Sequence, residues 1–599
     1  MSNKALQDDI QALLRRGEYL AAYDLASNLV IEHPQDPSFQ YLAVLTLARS
    51  GAIKRAMKLY EEYQLNRLDN EDYSALEARL LKDRAMNSEG DERGWLIIAA
   101  ADCYAAVYER TKGYYPAVNA ATLYYLAGKK EKATLFASDA YQLCIDEAVG
   151  EGLGEYYRLA TIAETCLLLD RGDEAHQTLK KAAKYIKGDF SALATTRRQL
   201  SLLIPEQEVS QFLSPISAPS VIHFAGHMIS NNDEQGRFRP NAEECVRKSI
   251  VEQISSDDIG FGYGSLASGA DILFAEALLA SKASLHIVLP FNIDEFIEVS
   301  VRPAGENWVE RFNYCIEHAA VVTYSTEDSF LGDTSLFHYA SRLAMGLAIE
   351  KSRYLQTSIK QITVWDGELT ESVAGTAADI RLWQSQKYPS TSINSKTGEM
   401  FNNAIPSKPN KETESTTNSG RHTCAMIFGD IKGFSKLCDK QIPAFVNDIL
   451  GGIGETLARY DDKVLMRNTW GDGVFIVFRD AVTAAECALA LQETMSGIDL
   501  AEAGLPEHIA LRLSVHFGPV YQMKDPVLNS TNYFGSHVSK AARIEPVTPE
   551  GEVYTTRQFV AELALIGDTI YSGEYVGIMP AAKKYGEMPM YLLKKRYSQ

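Results

Sequence analysis

The chain has 599 residues, of which 59 are Lys or Arg and 78 Asp or Glu, a formal charge of −19. At roughly 100–200 residues per domain, that length predicts about three to five domains. Apolar residues make up 46% and charged residues 23%, which excludes wholesale disorder, and the acidic excess excludes a general nucleic-acid coat, since phosphate binding needs clustered Lys and Arg.

The opening MSNKALQDDIQALLRRGEYL has no apolar signal core. No apolar run approaches the roughly 18–20 residues that span a bilayer. The eight Cys are scattered without a CxxC pair, which reads as reduced thiols and neither a disulfide framework nor a zinc site. A cytoplasmic chain with no membrane span and no nucleic-acid partner is expected.

Residues 1–205 read as helix after helix, with Ala, Leu and Tyr at three-to-four spacing. Gly17 and Gly51 are 34 apart, as are Ala22 and Ala56. This is the tetratricopeptide period, in which a Gly ends one helix and a later Ala lets the next approach closely. Gly128 and Ala133 repeat the five-residue offset. GYYPAVNAATLYYLAGKKEKA (113–133) and YYRLATIAETCLLLDRGDEA (156–175) resemble the TRAFs-binding helical domain of stress-activated kinases. The resemblance implies a protein partner for the helical repeats.

Residues 215–388 alternate strand and helix: SVIHFAG (220–226), ECVRKSIVEQI (244–254), IGFGYG (259–264), ADILFAEALLASK (270–282), SLHIVLPF (284–291), AAVVTYS (319–325), a long helix around 336–353, IKQITVW (359–365) and a last helix from about 374. That order predicts a Rossmann-like, mostly parallel α/β sheet. HFAGHMI (223–229), GYGSLASGADILFAEALL (262–279) and the WDG…GTAADI end (365–380) resemble the SLOG nucleotide-binding superfamily. The resemblance implies a small nucleotide ligand at the loop carrying Gly264, Ser265, Ser268 and Gly269, entering a helix at Asp271; backbone N–H groups at a helix start suit phosphate. Asp271 is equally readable as a helix-start residue favoured by the macrodipole. His227 reads first as a satisfied core or turn histidine.

Residues 389–421 are rich in Pro, Ser, Thr, Asn and Lys and poor in apolar residues. This segment reads as a flexible linker.

In the last segment, 422–599, the apolar strand CAMIFGDI (424–431) ends at Asp430, followed by Lys432-Gly433-Phe434-Ser435. NTWGDGVFIVF (468–478) sets Asp472 in a Gly-Asp-Gly turn. Either Asp alone reads as a turn former. Together with LRLSVHFGPVY (511–521) and YFGSHVSKAARIE (533–545), they resemble the class III nucleotidyl cyclase catalytic domain, an α+β (ferredoxin-like) fold, over nearly all of the segment.

The resemblance implies cyclisation of a nucleoside triphosphate to a 3′,5′-cyclic nucleotide and pyrophosphate, with two Mg²⁺ or Mn²⁺ per site. Asp430, Asp472 and the Ile431 carbonyl are the implied metal ligands, since hard cations take oxygen donors. Arg543 matches the family's transition-state arginine, and Ser539 stands where the family has a ribose-orienting Asn. One lost positioning hydrogen bond there costs on the order of 10²–10³ in rate. Lys583 or Lys584 falls where the family has a triphosphate-binding Lys. Asn468 and Asn532 replace the family's charged base-reading pair, and an amide both donates and accepts. ATP is the default base, with UTP, CTP and GTP admitted. Metal carboxylates and arginine come from different partners in this family, so a homodimer is implied, regulated by the helical and middle domains. The rival reading is a domain that holds nucleotide without cyclising it.

Overall fold

The structure, a computed structural model, describes all residues except 1, 69, 187, 232–235, 370, 371, 373, 404–420, 568, 569, 585 and 597–599.

The helical part runs α1 (Asn3–Arg15), α2 (Tyr19–Glu32), α3 (Pro37–Ser50), α4 (Ile53–Glu62), α5 (Glu71–Met86), α6 (Gly90–Thr111), α7 (Tyr114–Leu126), α8 (Lys130–Asp146), α9 (Gly152–Leu168), α10 (Gly172–Ala182), α11 (Phe190–Leu200) and α12 (Glu206–Phe212). The repeat is visible in its hinges. Gly17, Gly51 and Gly128 all have positive φ, as a left-handed helix cap requires. Ala22, Ala56 and Ala133, five residues on, are buried. A fourth hinge uses Asp170, also at positive φ, followed by buried Ala175. Helix α11 departs from the stacking. It reaches back to earlier helices: Ser191 takes a bond from Arg49 of α3 and Gln199 one from Lys82 of α5.

The middle part runs β1 (Ser220–Gly226), α13 (Glu243–Ser256), β2 (Ile259–Gly264), α14 (Ala270–Ala280), β3 (Ser284–Leu289), α15 (Ile293–Phe296), α16 (Glu306–His318), β4 (Val321–Tyr324), α17 (Ser335–Leu355), β5 (Ile359–Trp365), α18 (Thr376–Ser385), β6 (Ser390–Asn394) and β7 (Met400–Asn402). The sheet order is β4-β3-β2-β1-β5-β6-β7. Its pairs are parallel except β6–β7. The winding direction reverses between β1 and β5, the switch point of an open α/β sheet.

The start of the expected linker is a correction. Residues 390–394 and 400–402 are strands of this sheet, and Ser392 is fully buried with its hydroxyl 2.6 Å from that of Thr363. Residues 404–420 of the expected linker lie outside the described residues.

The C-terminal part runs β8 (Arg421–Lys432), α19 (Ile442–Ala444), α20 (Gly451–Ala458), β9 (Val464–Trp470), β10 (Gly473–Phe478), α21 (Ala481–Gly497), β11 (Ala510–Asp525), β12 (Ser530–Phe534), α22 (Ser536–Ile544), β13 (Val553–Thr556), α23 (Arg557–Leu565), β14 (Tyr571–Pro580) and β15 (Glu587–Lys595). The sheet order is β14-β15-β13-β11-β8-β10-β9, with β12 on β11.

Helix α17 ties the three parts together. Near its start Tyr339 donates to the Phe517 carbonyl at 2.8 Å, and Arg342 pairs with Glu562 of α23. Near its end Lys351 donates to the Arg16 and Gly17 carbonyls and to Glu18. At Gly346 the helix meets the α23 backbone directly, because a Cβ there would lie 2.1 Å from the Ala561 carbonyl oxygen. No helix among the described residues is long and apolar enough to cross a membrane.

Candidate active site

Strands β8 and β10 run antiparallel with Asp430 opposite Gly473. Asp472, one residue before Gly473, therefore lies beside Asp430. The Ile431 N–H donates to the Asp472 carbonyl at 3.2 Å and locks the two strand ends together. Gly473 has a packing reason: a Cβ there would lie 2.6 Å from the Trp470 ring nitrogen. The two expected carboxylates are thus neighbours, with Ile431 buried between them in sequence.

Two further groups complete this corner. Arg512 sits opposite Asp430 on β11 and donates to its carboxylate. The same guanidinium lies 3.1 Å from Glu545. Burial, with Asp430 and Asp472 close by, raises the Glu545 carboxyl to about 7, although Arg512 opposes this. Both groups were missed in the sequence. Arg512 is recognisable only through its cross-strand register, and Glu545 only by its place two residues after Arg543. Among the described residues no group of three or more His, Cys, Asp or Glu closes on one metal-sized point. The donors present are carboxylate and carbonyl oxygens, which fit a hard divalent cation, and such a cation would compete with Arg512 for Asp430.

Ser539 and Arg543 lie four residues apart on α22, hence on one helix face. Among the described residues no hydrogen bond or ion pair joins either side chain to Asp430 or Asp472. Lys583 is exposed at positive φ in a short turn that packs against α22. The Lys584 side chain lies outside the described residues. Asn468 is half-buried on the edge strand β9. Asn532 donates from Nδ2 to Asp525 at 2.9 Å.

A buried pair of histidines, unnoticed in the sequence, anchors α22. His516 Nε2 and His537 Nδ1 are 2.7 Å apart, and His537 Nε2 is 3.1 Å from the Thr326 hydroxyl of the middle part. Burial pushes both imidazoles well down in pKa, so both are neutral. Ser536, at the start of α22, donates to Asp328.

The loop expected to hold a middle-domain ligand is tightly knit. Gly269 has positive φ, and a Cβ there would lie 2.5 Å from the Ile229 nitrogen. The N–H of Ala267 donates to Asp271, that of Ser268 to the Ser300 carbonyl and that of Ala270 to the His227 carbonyl. Gly264 closes on Phe224, while Ser265 is half-buried. Among the described residues, the Ser268 hydroxyl and one oxygen each of Asp271 and Asp379 are buried without a hydrogen-bond partner. Burial raises both carboxyls to about 7. His227 lies 3.2 Å from Asp366 and 3.4 Å from the Thr376 hydroxyl, so it is a satisfied histidine.

Comparison with known proteins finds matches to two families. The C-terminal part is a class III cyclase catalytic domain: residues 417–595 match the adenylate and guanylate cyclase catalytic domain family. Residues 18–124 match the tetratricopeptide repeats-sensor family. A putative adenylate cyclase 3 of Rhizobium meliloti (strain 1021) is 32% identical over 139 residues, covering 22% of this chain and 22% of that protein. An adenylate cyclase of Streptomyces coelicolor is 31% identical over 144 residues, covering 23% of this chain and 34% of that protein. The chain therefore spans between about a fifth and a third of the length of these relatives. Among solved structures, the guanylate cyclase domain of RhGC from Catenaria anguillulae in complex with GTP has 21% identity and a TM-score of 0.26, covering 29% of this chain and 98% of that one. The adenylyl cyclase CyaB from P. aeruginosa has 19% identity and a TM-score of 0.26, covering 30% and 96%.

Proposed function

We propose that the chain is a nucleotidyl cyclase, converting a nucleoside triphosphate, ATP by default, to a 3′,5′-cyclic nucleotide and pyrophosphate. The observation that carries this is the placing of Asp430 and Asp472 side by side, on strand ends locked by the Ile431–Asp472 bond, within a segment that matches the cyclase family. Asp430, Asp472 and the Ile431 carbonyl would hold Mg²⁺ or Mn²⁺, which supplies activation of the ribose 3′-oxygen and neutralises the triphosphate. Arg543 is assigned to the charge that develops around the α-phosphate, where a planar guanidinium binds two oxygens at once. Ser539, one turn earlier, orients the ribose. Lys583 or Lys584 holds the terminal phosphates, which leave as pyrophosphate when the 3′-oxygen attacks the α-phosphorus. Among the described residues no hydrogen bond or ion pair joins Arg543 to either aspartate within one chain, which supports a site shared by two copies. The anchoring of α22 to Thr326 and Asp328 supports regulation by the middle part.

Asn468 and Asn532 are assigned to the base. Both are uncharged amides, and Asn532 has one N–H committed to Asp525, which also supports a pyrimidine triphosphate. The test is product formation from each of ATP, GTP, CTP and UTP with Mg²⁺ or Mn²⁺. Asp430→Ala or Asp472→Ala should cut the rate by about 10³-fold. The proposal fails if no triphosphate gives a cyclic product, or if Asp430→Ala works at the wild-type rate.

A further inference from the structure

Residues 325–334 join β4 to α17 and belong to the middle part, yet they hold two elements of the cyclase part. On the middle side, the Ser325 hydroxyl donates to the Pro290 carbonyl at 3.0 Å, and the Phe330 N–H donates to Glu295 at 2.9 Å. The Phe330 ring stacks on Phe291 with centres 5.0 Å apart. On the cyclase side, buried Asp333 pairs with buried Arg421 of β8 at 3.3 Å. Arg421 also donates to the Ser329 carbonyl at 3.5 Å and lies over the Tyr521 ring of β11. The second element held is α22: Asp328 accepts from Ser536 at 2.5 Å, and the Thr326 hydroxyl lies 3.1 Å from His537 Nε2. A segment tied on both sides passes its position on to α22 instead of swinging freely.

Helix α22 leans on these two bonds because it has little else at its start. It has nine residues, and its N-cap is Gly535, which offers no side chain to cap it. The Asp328 carboxylate stands at the first turn instead, where negative charge is favoured. His537, Ala541 and Ile544 form the buried face. Ser536, Ser539 and Arg543 follow at the i, i+3, i+7 spacing of a second face. The bond to Asp328 therefore lies on the face that carries the two assigned groups. His537 fixes the rotation of the helix. A Cβ on Gly518 would lie 2.2 Å from its Nδ1, and Tyr339 of α17 meets its ring edge-on at 5.5 Å. Its Nδ1 is 2.7 Å from His516 Nε2, and His516 Nδ1 is 2.8 Å from the Thr556 hydroxyl that caps α23. A neutral imidazole has one donor and one acceptor nitrogen. Thr326, His537, His516 and Thr556 thus form one directional relay from the middle part through α22 to α23.

We propose that Asp328 and Thr326 are positioning residues of the cyclase reaction, setting from the middle part where Ser539 and Arg543 stand in the shared site. The inference rests on the cyclase reading and names the route by which the middle part regulates it. Neither residue is assigned a contact with the nucleotide; both act through the axis and rotation of α22. Arg543 meets charge that develops only in the transition state, so a shift of α22 is read chiefly in kcat and little in KM. A displacement of about 1 Å is worth up to about 10²-fold in rate.

The test is steady-state kinetics of the full chain on whichever of ATP, GTP, CTP and UTP the wild type cyclises, with amide hydrogen exchange of the same variants. Asp328→Ala and the shape-conserving Thr326→Val should each lower kcat by roughly tenfold or more, with KM within about threefold of wild type. Exchange should quicken in α22 and stay unchanged in α21. Asp328→Asn, whose amide oxygen still accepts from Ser536, should recover most of the loss. In an Arg543→Lys background Asp328→Ala should cost little more, because the group being positioned is already gone. Ser536→Ala removes the same bond from the other side and decides the matter if Asp328→Ala fails to fold. Absence of any cyclic product from wild type would overturn the cyclase reading and this inference with it. Product from wild type, with kcat unchanged in folded Asp328→Ala and Thr326→Val, overturns this inference alone, whatever the exchange shows. An equal loss in the Arg543→Lys background overturns it too.

Discussion

Replacing Gly346 with Ala puts the contact between α17 and α23 to a direct test. A Cβ at this position would lie 2.1, 2.5 and 2.8 Å from the carbonyl oxygen, carbonyl carbon and Cα of Ala561. All three are backbone atoms, so no rotamer change can relieve the clash and the two helices must separate. Overpacking of this kind costs about 1–3 kcal/mol, sometimes more. The helix-propensity gain of Gly to Ala returns at most about 1 kcal/mol; because all three clashing atoms are backbone, the cost falls in the upper part of that range and the net loss is up to about 2 kcal/mol. Gly454 provides the opposite case. It is exposed in α20 with nothing within 4 Å of a built Cβ, so Gly454→Ala should stabilise by about 0.5–1 kcal/mol. The assay is thermal unfolding with amide hydrogen exchange. Gly346→Ala should lower the melting midpoint by a few degrees and speed exchange in α17 and α23, while Gly454→Ala should raise it. An unchanged or higher midpoint for Gly346→Ala, with exchange in both helices unaltered, would refute the packing argument.

Further outcomes follow from buried charge. The Asp379 carboxyl is raised by burial to about 7, so the folded chain holds this proton where an unfolded chain has lost it. Its stabilising effect is complete below the ordinary aspartate pKa and is lost as pH rises toward 7. Asp379→Asn should therefore raise the melting midpoint more at pH 8 than at pH 5, and equal shifts at the two values would contradict this. Arg342→Ala strands the buried Glu562 carboxylate at a cost of about 3–5 kcal/mol. Adding Glu562→Gln should recover most of that loss in a double-mutant cycle, and strictly additive losses would count against the pair.

Much of the fold could be read because its signals are local. The 34-residue period sits in single residues that end helices and admit close packing, and each of those glycines takes the conformation that the period implied. The aspartate pair was legible because each member lies within a short contiguous motif at a strand end. Strands β6 and β7 were hidden for a physical reason. They are polar because β6 is held beside β5 partly through paired hydroxyls, and composition alone reads such a stretch as unstructured. Arg512 and Glu545 were hidden because their meaning arises from register and tertiary approach, not from spacing. The bonds from α3 and α5 to α11 were likewise invisible, since they join residues more than a hundred positions apart.

The composition of the sequence marks residues 389–421 as the obvious place to cut the chain. Helix α23 shows why such a cut is not clean. Phe559 and Leu563 point into the cyclase core, whereas Val560 packs with the helical part, and Ala561, Ala564 and Leu565 pack with the middle part. A recombinant catalytic fragment beginning near residue 422 would carry that second face bare to water, and contiguous bare apolar surface invites association. For anyone building chimeras or minimal enzymes from this chain, the heritable unit is larger than the catalytic motif. It includes α17 (Ser335–Leu355), which lies well upstream of the fragment it covers.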